Sequence, residues 1–349
     1  MAAAIAKNSS FVKALAENTT LKSIPSQFTL STDSKGSQSD SLPIIDFSLL
    51  TTPNPDQRCK VLADLNNACR EWGFFILVNH GIPEKLLKAI ITASLEFFEL
   101  PEEEKRRYEA KSVSDPIKSG SGSVINTANQ RIHLWRDFVK SYVHPEFNYP
   151  TEPQSLREPL QEFSGKTRSV YRKLMHAIGE NLGLEQGFVD EALKLDSYFQ
   201  LYAANYYPPC PEPDQAIGIP PHTDHGLLTF LIHNGVAGLQ IQHNGEWFDT
   251  ISPQNAILVN TADHLEILSN GRYKSVKHRA VVNTEETRIS VVMANGAAPD
   301  AIVAPAAPLV EQDGRPLYRP MKFIEYVETM LSNPLLGKCN LDCIKIQDD

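Results

Sequence analysis

His222, Thr223 and Asp224 form a His-x-Asp run, and His278 follows well downstream. In an extended chain, side chains two apart point the same way, so His222 and Asp224 face one side and Thr223 the other. A third ligand from a distant strand, His278, completes a set of two imidazoles and one carboxylate. Three protein ligands leave three positions open on an octahedral ion, an arrangement that suits non-haem Fe(II) and oxidation. Zinc also accepts two histidines and a carboxylate, and a lone His-x-Asp is common by chance, so the surrounding residues decide its meaning.

Arg288 and Ser290 lie in the strand-like run Arg288-Ile289-Ser290-Val291-Val292-Met293, where alternation sets them on one face and Ile289 and Val291 on the other. An arginine offers a planar fork for a carboxylate and a serine adds one hydroxyl donor, a pair suited to one end of a dicarboxylate. Upstream, Asn205 and Tyr207 share a face of an aromatic-rich strand that runs from Tyr198 into the turn Pro208-Pro209-Cys210. Their amide and phenol can reach one bound keto acid. Taken alone, the first pair reads as a surface arginine in an ordinary salt bridge beside an incidental serine, and the second as a half-buried strand whose polar groups satisfy each other.

These residues need elements to hold them. Val61, Leu62, Leu65, Ala68, Cys69 and Trp72 recur at helical spacing, as do Leu86, Leu87, Ile90, Ile91, Leu95 and Phe98 after Pro83. A longer amphipathic helix is expected through Leu160, Phe163, Val170, Leu174, Ile178 and Leu182, ending near Gly183. From Tyr198 onward short strands and turns dominate, at residues 227–232, 239–242, 247–249, 257–260 and 288–293. This order predicts a mixed, mainly β chain with a double-sheet jelly roll flanked by α-helices. The expected parts are an arm and linker over 1–41, a helix-rich part over 42–195, a jelly-roll core over 196–335 and a tail over 336–349. Residues 31–41 read as a polar loop, with the arm packed outside the barrel.

Bulk properties narrow the partners. A net charge of −9 with a pI near 5.6 argues against nucleic acid or an anionic membrane. Five cysteines without metal-ligand spacing, Cys59, Cys69, Cys210, Cys339 and Cys343, read as free thiols of a reducing compartment. The start Met1-Ala2-Ala3-Ala4 lacks the pattern of a secretory signal and no apolar run reaches membrane-spanning length, so the cytoplasm is expected. No obligatory protein partner is evident.

Asn205-Tyr206-Tyr207-Pro208-Pro209-Cys210, His222-Thr223-Asp224, the run from Leu265 to Gly271, His278-Arg279 and Arg288-Ile289-Ser290 together resemble the plant 2-oxoglutarate- and Fe(II)-dependent dioxygenases, related in fold to isopenicillin N synthase. Leu42-Pro43-Ile44-Ile45-Asp46, Trp72-Gly73-Phe74-Phe75, Val78-Asn79-His80-Gly81-Ile82 and Trp135-Arg136-Asp137-Phe138 extend the resemblance over roughly residues 40 to 335.

The resemblance implies that His222, Asp224 and His278 hold Fe(II). It places Arg288, Ser290, Asn205 and Tyr207 on 2-oxoglutarate, with O2 as the oxidant and ascorbate a candidate reductant. Oxidative decarboxylation of 2-oxoglutarate to succinate and CO2 would accompany hydroxylation, desaturation or demethylation of a small plant specialised metabolite. An ascorbate-dependent oxidase of the same fold and a non-enzymatic small-ligand binder are the alternatives.

Pocket walls carried over from the family are Val124, Ile125, Arg131, Phe138, Ala294 and Asn295. Flavonoid-oxidising relatives often carry a cation where Ala203 stands and a Phe where Ala294 stands, which implies a roomier, less charged pocket here. The run Ser119-Gly120-Ser121-Gly122-Ser123 reads as a lid or a solvated loop. Asp263 is expected to orient a turn, His225 to sit at a turn or pocket rim, and His80, His133, His144, His176, His233, His243 and His264 to be structural or exposed.

Overall fold

The computed structural model describes residues 11–18, 21–30, 36–37, 42–112, 115–125, 130–332 and 340–346. Its largest sheet has eight strands in the order β1-β2-β10-β7-β12-β5-β4-β3. In chain order these are β1 (Ile44–Asp46), β2 (Phe74–Val78), β3 (Ile117–Ile125), β4 (Arg131–His144), β5 (Gln200–Tyr207), β7 (Leu228–His233), β10 (Ile257–Thr261) and β12 (Arg288–Asn295). A four-stranded sheet, β6-β11-β8-β9, comprises β6 (Ile219–His222), β8 (Leu239–His243), β9 (Glu246–Thr250) and β11 (His278–Ala280). A two-stranded ribbon joins β13 (Ile302–Val303) to β14 (Met321–Lys322). The two larger sheets form the jelly roll that the strand-rich second half predicts, and four strands of the larger one come from the first half of the chain.

Helices cover the outer face of the large sheet because its strands alternate. Tyr202, Ala204 and Tyr206 on β5 and Ile289, Val291 and Met293 on β12 join a buried cluster with Phe97, Phe98, Phe163 and Leu174. The helix Glu84–Glu99 starts after Pro83 and turns Leu86, Leu87, Ile90, Phe97 and Phe98 inward. Its Ser94 hydroxyl lies 2.7 Å from the Tyr202 hydroxyl. The helix Arg157–Asn181 carries the predicted apolar stripe, and Gly183 follows it at φ +70. The helix Pro55–Asn67 is N-capped by the Asn54 side chain, which accepts from the backbone N–H of Asp56 and Gln57. A π-turn over Ala68–Trp72 then ends at left-handed Gly73, so the predicted helical stripe reaches Trp72 with a change of hand-over geometry.

The N-terminal arm packs on one end of the barrel. Val12, Leu15, Ile24 and Phe28 cluster with Trp135, Tyr207, Cys210 and Ala280. Asp137 anchors it by accepting from the backbone N–H of Val12 (2.7 Å) and Lys13 (2.8 Å). Of the polar stretch 31–41 only Gly36 and Ser37 are described, and Ser37 bridges to Phe248. Cys59, Cys69, Cys210 and Cys343 are unpaired, while Cys339 and the first residues lie outside the described segments.

One expectation is corrected. Ser119–Ser123 is neither lid nor loop: it lies inside β3, with Ser119 opposite Val139, Gly120 opposite Phe138 and Ser121 opposite Asp137. Glycine and serine are poor strand formers, but β4 supplies a long partner edge. At Gly122 a Cβ would come within 2.8 Å of the Arg136 Nη2 and 2.9 Å of Leu134, so a side chain there would collide with the neighbouring strand.

Candidate metal and cosubstrate site

His222 ends β6 and His278 begins β11, and the two are direct register partners. Strand geometry stops at His222, so Asp224 sits in the following loop instead of two places along the strand as the alternation predicts. That loop is pinned to the turn before the helix Asp263–Leu268. The Asp263 N–H donates to the Asp224 carbonyl (2.8 Å) and the His264 N–H to that of Gly226 (2.9 Å). The Thr223 hydroxyl donates to the Asp263 carboxylate (3.2 Å), which also accepts from Tyr326 (2.7 Å). Asp263 thus orients a turn, as expected, and the turn is the one that carries Asp224.

The candidate ligand atoms of His222, Asp224 and His278 all lie within 4.8 Å of one another. Each histidine Nε2 is 3.7 Å from Asp224 Oδ1. His222 Nδ1 lies 2.9 Å from the Pro220 carbonyl and His278 Nδ1 3.2 Å from that of Val276. A carbonyl only accepts, so each Nδ1 carries the proton and each Nε2 lone pair faces the cluster. Burial, then the neighbouring His278, pushes His222 down to about 3, which keeps it neutral. Burial opposes ionisation of Asp224, while the hydrogen bond from the Asn260 amide, 3.0 Å from Oδ2, favours the carboxylate, and the carboxyl lies well below its ordinary value. Two neutral nitrogen donors and one anionic oxygen fit a divalent cation such as Fe(II).

The large sheet turns one face toward this cluster. Arg288 stands opposite Tyr207 and Ser290 opposite Asn205 across β12 and β5, a register that sets the four candidate residues on one face of the sheet. Arg288 is 2 % exposed, and the Tyr207 ring centre lies 5.0 Å from its guanidinium. Its Nε has no hydrogen-bond partner, and no carboxylate pairs with it among the described residues. A buried cation without its anion fits the carboxylate of a bound dicarboxylic acid. Gly238 makes room for it, because a Cβ there would lie 2.9 Å from Arg288 Cδ and 2.9 Å from the Val281 carbonyl.

Two cations on β4, Arg136 within the run Trp135-Arg136-Asp137-Phe138 and Lys140 beyond it, join the site without being singled out by the sequence motifs. Arg136 donates to Asn205 Oδ1 (3.1 Å), placing a second guanidinium beside the Asn-x-Tyr pair. Lys140 is the direct partner of Ala203. The signal was the alternation Arg136, Phe138, Lys140, which a strand turns to one face. The expectation of a less charged wall at Ala203 is therefore corrected: the alanine leaves space, and the neighbouring strand fills it with a cation.

Beside the cluster lies a cavity of about 780 Å3, lined by Phe138, Lys140, Tyr142, Phe199, Leu201, His225 and Phe323 among others. His225 sits on its wall, 6.4 Å from the rings of both Phe199 and Phe323. His144, read as structural or exposed, lines it too. Of the predicted pocket residues, Phe138 is in this wall and Ala294 shares the sheet face of Arg288 and Ser290. Arg131 instead lines a second cavity of about 620 Å3 under the N-terminal arm, with Phe138 between the two. Val124 and Ile125 pair with Ile132 and Arg131 at the far end of the β3–β4 hairpin, away from the first cavity, and the Ile125 side chain lies outside the described residues. Asn295 is fully buried, donating to the Leu228 and Met293 carbonyls and accepting from Gln200, so its amide is committed to the sheet.

Comparison with known proteins agrees with this geometry. The family model of the 2OG-Fe(II) oxygenase superfamily matches residues 198–295, and that of the non-haem dioxygenase N-terminal region in morphine synthesis matches residues 42–162. The chain is 42 % identical over 318 residues to 2-oxoglutarate-dependent dioxygenase 19 of Oryza sativa subsp. japonica, covering 90 % of this chain and 93 % of that one. It is 36 % identical over 300 residues to flavanone 3-dioxygenase 2 of the same organism, covering 84 % of each. The crystal structure of JOX2 with 2OG, Fe and JA superposes with a TM-score of 0.82 at 29 % identity, covering 96 % of this chain and 97 % of that one. The chain belongs to the 2-oxoglutarate- and Fe(II)-dependent oxygenases and is an oxidoreductase of that family.

Proposed function

We propose that His222, Asp224 and His278 hold Fe(II), that Arg288, Ser290, Asn205 and Tyr207 hold 2-oxoglutarate, and that the enzyme oxidises a small plant specialised metabolite in the adjoining cavity. The observation that carries this reading is the pairing of a neutral-imidazole, carboxylate cluster with a buried arginine that has no anionic partner among the described residues. Bound Fe(II) and 2-oxoglutarate would, with O2 as the four-electron acceptor, supply the oxidant for a C–H bond, giving succinate and CO2 as coproducts.

The chain's own part is positional. The Pro220 and Val276 carbonyls fix both imidazole tautomers, and Asn260 orients the Asp224 carboxylate. Arg288 and Ser290 set the far carboxylate of the cosubstrate by charge and hydrogen bond, so that its keto-acid end faces the cluster. Arg136, by holding the Asn205 carbonyl oxygen, leaves the Asn205 amide nitrogen free to donate. Phe138 and Phe199 keep the substrate side apolar.

We further infer that the chain works in the cytosol and needs no protein partner. Its described cysteines are unpaired and none of its described helices is long and apolar enough to cross a membrane. The test is succinate formation from 2-oxoglutarate by purified, anaerobically Fe(II)-loaded protein exposed to air with a library of plant phenolics, alkaloids, terpenoids and hormones. Substrate-stimulated succinate is expected. Failure of the iron-loaded protein to bind 2-oxoglutarate would sink the reading, and co-fractionation with membranes or a secreted pool would sink the placement.

A further inference from the structure

The cavity wall holds a cation that the cosubstrate does not use. Lys140 stands opposite Ala203, whereas Arg288 stands opposite Tyr207, four residues along the same strand. At the rise of a β-strand this separates them by about 13 Å, too far for Lys140 to share the carboxylate that Arg288 would hold. Its ammonium lies 5.3 Å from the Phe138 ring centre, and among the described residues no carboxylate reaches it. The neighbouring charges that act on it from its own and adjoining strands are Arg136 and Lys118, both positive, opposed by Asp224. Burial and these two cations push Lys140 down to about 8, so it remains mostly charged at neutral pH and lacks a counterion.

Carboxylates do line the same cavity, but at its mouth. Glu146 and Glu328 are exposed, and Asp115 accepts from the backbone N–H groups of Lys111 and Ser112. Further in, Tyr142, Leu201, Phe199 and Phe323 present apolar surface. A cavity of about 780 Å3 falls in the size range of small-molecule sites. Lys118, whose ammonium lies 5.7 Å from the Tyr142 ring centre, lines the cavity as well, so an apolar chamber with a cationic wall selects a ligand that is apolar over most of its surface and carries an acid group.

We propose that the substrate is an apolar carboxylic acid and that Lys140 binds its carboxylate, presenting the remaining carbon skeleton to the metal cluster. This rests on the assignment of the cluster and of Arg288 given above.

The test measures binding to protein loaded with Mn(II) and 2-oxoglutarate without turnover, using benzoate, cinnamate and 1-naphthylacetate beside their methyl esters. Wild type is expected to bind at least one acid tenfold or more tightly than its ester. Lys140→Met is expected to weaken that acid by at least tenfold and to abolish the preference, while Lys140→Arg retains most of it. The affinity for 2-oxoglutarate is expected to stay within twofold in both variants. Esters binding as well as acids, or an acid preference that survives Lys140→Met, would overturn the proposal. If Lys140→Met fails to fold, Lys140→Gln provides the same comparison. Loss of 2-oxoglutarate binding in wild type would overturn the underlying site assignment instead, so the two failures are separable.

Discussion

His222 and His278 face each other across the β6–β11 pair as register partners, their ring centres 4.2 Å apart and tilted by 52°. Two imidazoles this close, each with its Nδ1 proton given to a backbone carbonyl, aim both Nε2 lone pairs at the space that Asp224 closes from the loop. The register of two short strands therefore fixes the ligand angle, and the loop supplies the charge.

Removing that charge is expected to remove the metal. Asp224→Ala should weaken Fe(II) binding by at least a hundredfold, read by anaerobic titration, with the circular dichroism spectrum retained. Metal affinity within threefold of wild type would exclude Asp224 as a ligand.

The unpaired guanidinium of Arg288 makes a separate prediction. A charge-assisted hydrogen bond in a buried site is worth about 1.5–3 kcal/mol, which corresponds to roughly ten- to a hundredfold. Arg288→Gln should weaken 2-oxoglutarate by that factor while leaving metal binding in place. Isothermal titration of 2-oxoglutarate into Mn(II)-loaded protein decides it.

Asp263 touches no candidate ligand side chain, but its backbone and carboxylate hold the segment around Thr223 and Asp224. Asp263→Ala should lower metal affinity about 10–100-fold, the usual cost of losing a residue that orients a ligand. A lowered melting temperature with unaltered metal affinity in the folded fraction would reduce Asp263 to a purely structural role.

His264 gives a pH signature. It is fully buried, both ring nitrogens lack partners, and it stacks on Phe323 at 5.5 Å, so burial pushes it down to about 3. Unfolded histidine titrates near 6.5, so the unfolded chain binds the extra proton first. Stability from a neutral His264 is complete above about pH 6.5 and is lost as pH falls toward 3. Wild type should therefore lose ground to His264→Leu as pH drops from 6.5 to 4.5, by up to about 1.4 kcal/mol per pH unit. Parallel pH profiles of urea midpoints for the two proteins would show that His264 already titrates normally.

Much of the site could be read from the chain because the relevant signals are local. Alternation places Arg288 with Ser290 and Asn205 with Tyr207, and the structure keeps both pairs since a strand's period is insensitive to its partners. The helical stripes through Leu86 to Phe98 and Leu160 to Leu182 survive for the same reason. Ser119–Ser123 misled because its glycines and serines say nothing of the partner strand that holds them.

By itself the sequence determined the chemistry available: two histidines, a carboxylate, an arginine and their spacing along strands, hence the oxygenase family. Only the tertiary structure decided which distant residues share a cavity. Sheet register put Lys140 against Ala203 and Arg136 beside Asn205, and packing left Arg288 without an anion. Cross-strand neighbours are set by hydrogen-bond register between segments far apart in the chain, and no local pattern encodes that register.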